Sequence, residues 1–146
     1  MTPLRPIFVD SVYLIALNGA NDNWRAAAQM AADSLHPRQP LVTSHGVLSE
    51  TLAHFSRAAS TDRTRLARQF RELGRDPQYT VVSHNFTLME DALEAYGDEF
   101  AESSLSLQDC VSILIMREYG IGSILTADQE FARAGFTPLL RRYLDQ

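Results

Sequence analysis

The chain has no lysine: all 13 of its basic residues are arginine. A Walker A phosphate loop needs a lysine on the phosphates, so that loop is excluded. Lysine Schiff-base chemistry is excluded as well. Two-component receiver domains and haloacid-dehalogenase-type phosphatases also carry an aspartate at a strand end, but as families they rely on a lysine. Cysteine is nearly absent too. Cys110 stands alone, so there is no internal disulfide and no cysteine-based zinc site. No apolar run reaches membrane-spanning length, and Met1 to Pro6 lacks the apolar core of a signal peptide. A cytoplasmic protein without membrane contact is the expectation. The formal net charge of −5 excludes a strongly basic nucleic-acid coat, though not a local basic groove.

What is present is an ordinary globular composition, 45% hydrophobic and 21% charged. At 146 residues the expectation is one domain, residues 1–146, with a sizeable core. Ile7-Phe8-Val9 reads as a short buried strand that delivers Asp10 to a sheet edge. Ser11 to Leu17 is apolar and helical. Asn21 or Asp22 is placed to cap an Ala-rich helix running to Leu35, where His36-Pro37 stops it. Leu41-Val42-Thr43 is a second strand. Val47, Leu48, Thr51, Leu52 and Phe55 form the apolar stripe of the next helix, with Glu50 beside it.

Ser60 or Thr61 is placed to cap a helix to Gly74, with Leu66, Phe70 and Leu73 inward and arginines outward. Tyr79 to Val82 is a third strand, and Asn85 opens an acidic helix to Tyr96. Ser106-Leu107-Gln108-Asp109 has capping-box spacing. The apolar run Val111 to Met116 that follows fits helix or strand by periodicity. The cap before it and Gly120 behind it favour a buried helix. Ile121 to Thr126 is a fourth strand and Gln129 to Ala134 a short helix. Pro138-Leu139-Leu140 reads as an edge strand. Strands alternating with helices predict an α/β fold: a parallel sheet with helices on both faces.

In such a sheet every strand-to-helix junction lies on one edge, where ligands bind. Asp10, Asp109 and Asp128 fall at or just behind these junctions, and Glu50 lies one to two turns into the second strand's helix. Singly, each aspartate is explained as well by helix capping, and Glu50 by solvation. Together, four carboxylates in one cleft repel, and their usual purpose is to bind hard cations. Carboxylate-held Mg²⁺ or Mn²⁺ is the common device for phosphodiester hydrolysis. The four histidines, His36, His45, His54 and His84, are scattered in sequence, and His54, one turn after Glu50, reads as a surface residue. Trp24, near a helix start, reads as packing.

Phe8-Val9-Asp10-Ser11, helical Glu50, Ser106 to Cys110, and Leu125 to Phe131 together resemble a PIN domain over nearly the whole chain. The nearest likeness is to the small PIN ribonucleases, including VapC-type toxins of toxin–antitoxin pairs. The resemblance implies a central parallel sheet of about five strands and Mg²⁺- or Mn²⁺-dependent endoribonuclease activity on single-stranded or structured RNA. It matches Asp10, Glu50, Asp109 and Asp128 to the family's acidic quartet. Asp10, Asp109 and Asp128 are then the metal ligands, and Ser11 and Thr126 the polar positions beside them. An antitoxin and a second copy of the chain are the candidate protein partners. The alternative is a non-catalytic PIN-like module that binds RNA or protein. Arg57, Arg63, Arg65, Arg68, Arg71 and Arg75 fall within one helical hairpin. Of these, Arg63, Arg68 and Arg71 are the candidate phosphate contacts, against the plainer reading of a solvated helix face.

Overall fold

The computed structural model describes residues 3–143. Five parallel strands, β1 (Ile7–Val9), β2 (Leu41–Ser44), β3 (Tyr79–Val82), β4 (Ser123–Leu125) and β5 (Thr137–Pro138), stand in the order β3-β2-β1-β4-β5. Phe8 pairs with Val42 on one side and Ile124 on the other, so β1 is the central strand. It is buried on both faces, which is why it reads as an unbroken apolar run.

The intervening helices are α1 (Ser11–Asn18), α2 (Arg25–Ser34), α3 (His45–His54), α4 (Ser60–Leu73), α5 (Phe86–Gly97), α6 (Leu107–Tyr119) and α7 (Glu130–Arg133). The chain walks one way from β1 to β3, then crosses back to β4 on the far side of β1. Right-handed crossovers put α1 to α4 on one face and α5 to α7 on the other. The reversal makes the β1/β4 boundary the topological switch point, the place where open α/β sheets bind ligands. Asp10 directly follows β1, and Asp128 lies three residues beyond β4.

The run Val111 to Met116 is helical, and α6 is buried nearly all round. Ser106 accepts from the Asp109 N–H at 3.1 Å, and Asp109 accepts from the Ser106 N–H at 2.9 Å. At the other end Gly120 takes φ 66°, where a side chain would be strained, and the Ile121 N–H closes onto the Met116 carbonyl at 2.8 Å. That bond removes Ile121 from the sheet, so β4 is shorter than the expected Ile121–Thr126. The core around the sheet includes Phe8, Val9, Ile124, Leu125, Phe131 and Leu140, all fully buried.

Three further boundaries differ from the sequence reading. Asp22 accepts from the Trp24 N–H at 2.8 Å in a turn before α2, and Trp24 itself occupies the cap position. Helix α4 begins at Ser60 with Ala59 before it, so neither Ser60 nor Thr61 caps it; Asp62 in the first turn complements the dipole instead. Leu139 and Leu140 lie in a closing 3₁₀ helix, Leu139–Tyr143, rather than in the last strand. Both are buried, and the Leu140 N–H donates to the Thr126 carbonyl at 3.2 Å. Among the described residues no helix is long and apolar enough to cross a membrane.

Candidate active site

Asp10 is a buried acid at the end of the central strand. It follows β1 in extended conformation, yet its side chain does not cap α1. Its carboxylate instead accepts from the Thr126 hydroxyl at 2.7 Å, across the β1/β4 boundary. Asp10 is only 3% exposed and Thr126 not at all. The capping explanation therefore fails for this residue. Thr126 Oγ1 also accepts from the Asp128 N–H at 3.3 Å, so one buried hydroxyl ties the first acid to the backbone of the fourth.

Glu50 is no solvated surface glutamate. It is half-buried on α3 and accepts a hydrogen bond from the Ser11 hydroxyl at the start of α1. Ser44, at the end of β2, starts α3 by accepting from the Val47 N–H at 3.2 Å. Thr43 donates to the Val9 carbonyl at 2.8 Å, locking the end of β2 to the residue before Asp10. Asp109 and Asp128 each accept from a backbone N–H at a helix start. Asp109 completes the capping box of α6, and Asp128 accepts from the Glu130 N–H at 2.9 Å at the start of α7.

The four acids feel one another. The Asp10 carboxyl is pushed up to about 7, first by burial, with the charges of Asp109 and Glu50 adding and the Thr126 hydrogen bond opposing. Asp109 is also raised, first by burial, with Glu50 and Asp128 adding and its bonds to Ser106 opposing. Burial beside like charge, as at Asp10 and Asp109, is what a bound cation relieves. Among the described residues, no three histidine, cysteine, aspartate or glutamate side chains already stand close enough to enclose an ion. The donor set is hard oxygen throughout. It fits a cation of the Mg²⁺ or Mn²⁺ type that is held by one or two carboxylates and keeps several waters. It does not fit a dehydrated cage.

The PIN domain model matches residues 7–137. This chain belongs to the PIN-domain family. Among solved structures it is similar to VapC20 of Mycobacterium tuberculosis, a Sarcin-Ricin loop cleaving toxin, at 28% identity and a TM-score of 0.77. That match covers 90% of this chain and 96% of the other. No curated protein matches the chain. The five-stranded parallel sheet expected from the resemblance is the one observed.

This PIN domain brings together two further residues that the sequence reading passed over. His84 lies two residues past the end of β3, and Gln108 precedes Asp109 in the first turn of α6. Together with His45, Gly46, Ser49, Glu50 and Ala53 they line one cavity. The histidines are thus not all scattered, since His45 and His84 meet here. His84's position just past a strand end was the available signal. The Nε2 atoms of His84 and Gln108 are buried without a hydrogen-bond partner among the described residues. Leaving a buried polar group unpaired costs about 1–3 kcal/mol. His54 is exposed, in edge contact with Phe55. Trp24 packs against the core under Arg141, as the packing reading expects.

The arginines of α4 lie on its exposed face, away from buried Leu66, Phe70 and Leu73. Arg63 donates to the Ser56 carbonyl at 2.5 Å, and Arg65 to Asn18 at 3.2 Å with Asp62 at 3.7 Å. Arg68 and Arg71 have no ion pair among the described residues. Arg71 borders a groove of about 660 Å³ that runs along Leu48, Leu52 and Ser83 to His45. His45 is therefore shared by this groove and the cavity beside Glu50.

Proposed function

We propose that this PIN domain is a divalent-cation-dependent endoribonuclease of the VapC toxin kind, acting in the cytoplasm. The observation that carries the reading is the buried Asp10 carboxyl, pushed up to about 7 among the charges of Asp109 and Glu50 while capping nothing. Buried like charges are costly and cluster where function requires them. Asp10, Asp109 and Asp128 would hold Mg²⁺ or Mn²⁺, directly or through water. When bound, the cation supplies a hydroxide nucleophile at neutral pH and neutralises charge on the scissile phosphate.

The chain's own residues do the rest. Thr126 donates to Asp10 and fixes its rotamer, and through the Asp128 N–H it sets the loop carrying the fourth acid. Ser11 holds Glu50, which faces the cavity and is the candidate to orient the attacking water and accept its proton. Arg71 would hold the RNA backbone along the groove that leads to His45, with Arg68 and Arg63 as further phosphate contacts elsewhere on the exposed face of α4. Exposed Phe86, Leu93 and Tyr96 make an apolar stripe on α5. That stripe supports a protein partner, and the likeness to VapC20 suggests an antitoxin or a second copy of the chain.

The alternative is a non-catalytic module that binds RNA or protein. The observation in its favour is that, among the described residues, no three acids stand close together. Cleavage of RNA by the purified protein separates the two. The nuclease reading expects cleavage that requires Mg²⁺ or Mn²⁺, stops with EDTA and is absent in Asp10→Asn. Binding without cleavage under every metal condition leaves the non-catalytic module.

A further inference from the structure

The cavity beside Glu50 has an unusual floor. Gly46 lies in the first turn of α3, four residues before Glu50 and so on the same helix face. A Cβ at this position would fall 2.1 Å from Gln108 Oε1, 2.5 Å from His84 Cε1 and 2.6 Å from His84 Nε2. Only a residue without a side chain lets the amide and the imidazole come this close. Both are held against the glycine with unspent hydrogen-bonding capacity: Nε2 of Gln108 and Nε2 of His84 are each buried and unpartnered among the described residues. Unpaired buried polar atoms in a native fold ask for a partner from outside.

The chemistry of the lining says what that partner is. No arginine lines this cavity of about 560 Å³; His45, Ser49 and Glu50 stand on its wall, and the polar groups that converge over Gly46 are an amide and an imidazole. A phosphate would choose the arginines of α4 instead. An amide offers a donor and an acceptor side by side, and a neutral imidazole offers one of each. That set suits the edge of a nucleobase, which single-stranded RNA exposes when a base is splayed out. The position suits it too, because Glu50 of the acidic cleft forms part of the same wall.

We infer that Gln108 and His84, brought together over Gly46, form a base-recognition subsite that takes a nucleobase next to the scissile phosphate. The inference rests on the ribonuclease reading for the word scissile, but not for base recognition itself. Gln108 and His84 are specificity-determining residues here, distinct from the acids. Gly46 positions both.

Two measurements test it on the full chain. The first is cleavage of a random-sequence RNA pool with Mn²⁺, with sequencing of the ends produced. Wild type is expected to show a base preference at one nucleotide flanking the cut. Gln108→Ala and His84→Ala should each flatten that preference by roughly tenfold. Gly46→Ala should do the same, because its methyl displaces both side chains while alanine favours the helix. The second is binding of short RNAs that differ only at that nucleotide, or at each position in turn if nothing is cut. Wild type and variants are titrated in EDTA, with melting temperatures showing that each variant is folded. Kd ratios between bases should collapse in the variants. Absent cleavage with base-selective, Gln108-dependent binding would overturn the nuclease reading and support this one. Preferences and Kd ratios unchanged in all three folded variants would overturn this one and leave the nuclease reading standing. RNA binding that never discriminates between bases would overturn it as well.

Discussion

The acidic cleft and the arginine face of α4 are both charged, but they are built in opposite ways. In the cleft, Asp10 is buried and fixed by Thr126, Glu50 is held by Ser11, and Asp109 and Asp128 are held by backbone N–H groups. On α4 the arginines stand in solvent, and Arg68 and Arg71 touch no counter-charge among the described residues. A solvated charge costs the fold almost nothing and needs no purpose. A buried carboxyl among like charges is costly until something neutralises it. The cleft therefore carries the stronger functional argument, and the arginine face a weaker one. Substitutions in the two regions should differ accordingly.

The largest effect belongs to Asp10. Asp10→Asn keeps the side chain's shape and removes a charged ligand, so metal-dependent RNA cleavage should fall by at least about 100-fold. Gel-based cleavage in Mn²⁺ by a nuclease-free preparation measures it, and undiminished activity would remove Asp10 from the site. Thr126→Val should come next. It deletes the hydroxyl that bonds Asp10 and receives the Asp128 N–H, and support of this kind is typically worth about 10–100-fold in activity or metal affinity. A kinetic titration with Mg²⁺ should show the loss chiefly as a higher metal requirement. Wild-type metal dependence in that variant would mean that the hydroxyl serves only packing.

The smallest effect should come from α4. Neutral replacements at Arg68 and Arg71 should weaken RNA binding modestly and lower the salt slope by about one for each phosphate no longer neutralised. Arg63 should matter less, because its guanidinium already donates to Ser56. Fluorescence anisotropy across a salt series reads this, and an unchanged slope would return the arginines to the status of a solvated face.

The same difference explains what could be read from the sequence. Residues whose role follows from local chemistry were legible. Ile7 to Val9 announced a buried strand, and the Ser106–Asp109 spacing announced a capping box. Asn85 does cap α5, accepting from the Leu88 N–H at 2.8 Å. The order of the acids on a parallel sheet led to the expectation that they share one edge. What could not be read depends on groups distant in sequence. The bond from Thr126 to Asp10 spans 116 residues. The switch point between β1 and β4 depends on strand order, which local patterns do not encode. His84 and Gln108 look unremarkable until Gly46 brings them together. The ends of α2, α4 and β5 shifted because a turn, a dipole and a buried leucine pair outweighed the capping and edge-strand patterns.

The cleft also sets a pH dependence. Asp10 is raised from 3.8 to about 7, so the folded protein holds a proton that the unfolded chain releases. Metal-free stability should therefore be unaffected by this group below about pH 4, fall as pH rises towards 7, and level off above it. The full difference is on the order of 4 kcal/mol. Asp10→Asn has no proton to lose, so its metal-free melting curve should lack that decline. Cation binding must displace the proton, so Mg²⁺ should bind more weakly as pH falls below 7.

The central claim is that Asp10, Asp109 and Asp128, with Glu50 beside them, form one cation site. Its most direct test is thermal unfolding of wild type and Asp10→Asn at pH 8, in EDTA and in Mg²⁺, at matched ionic strength. For a millimolar Kd and tenfold excess Mg²⁺, wild type should gain roughly 1.4 kcal/mol, or about 3–5 °C. Asp10→Asn should melt above wild type in EDTA and lose most of the Mg²⁺ shift. A wild type indifferent to Mg²⁺, together with a variant no more stable than wild type in EDTA, would contradict the claim.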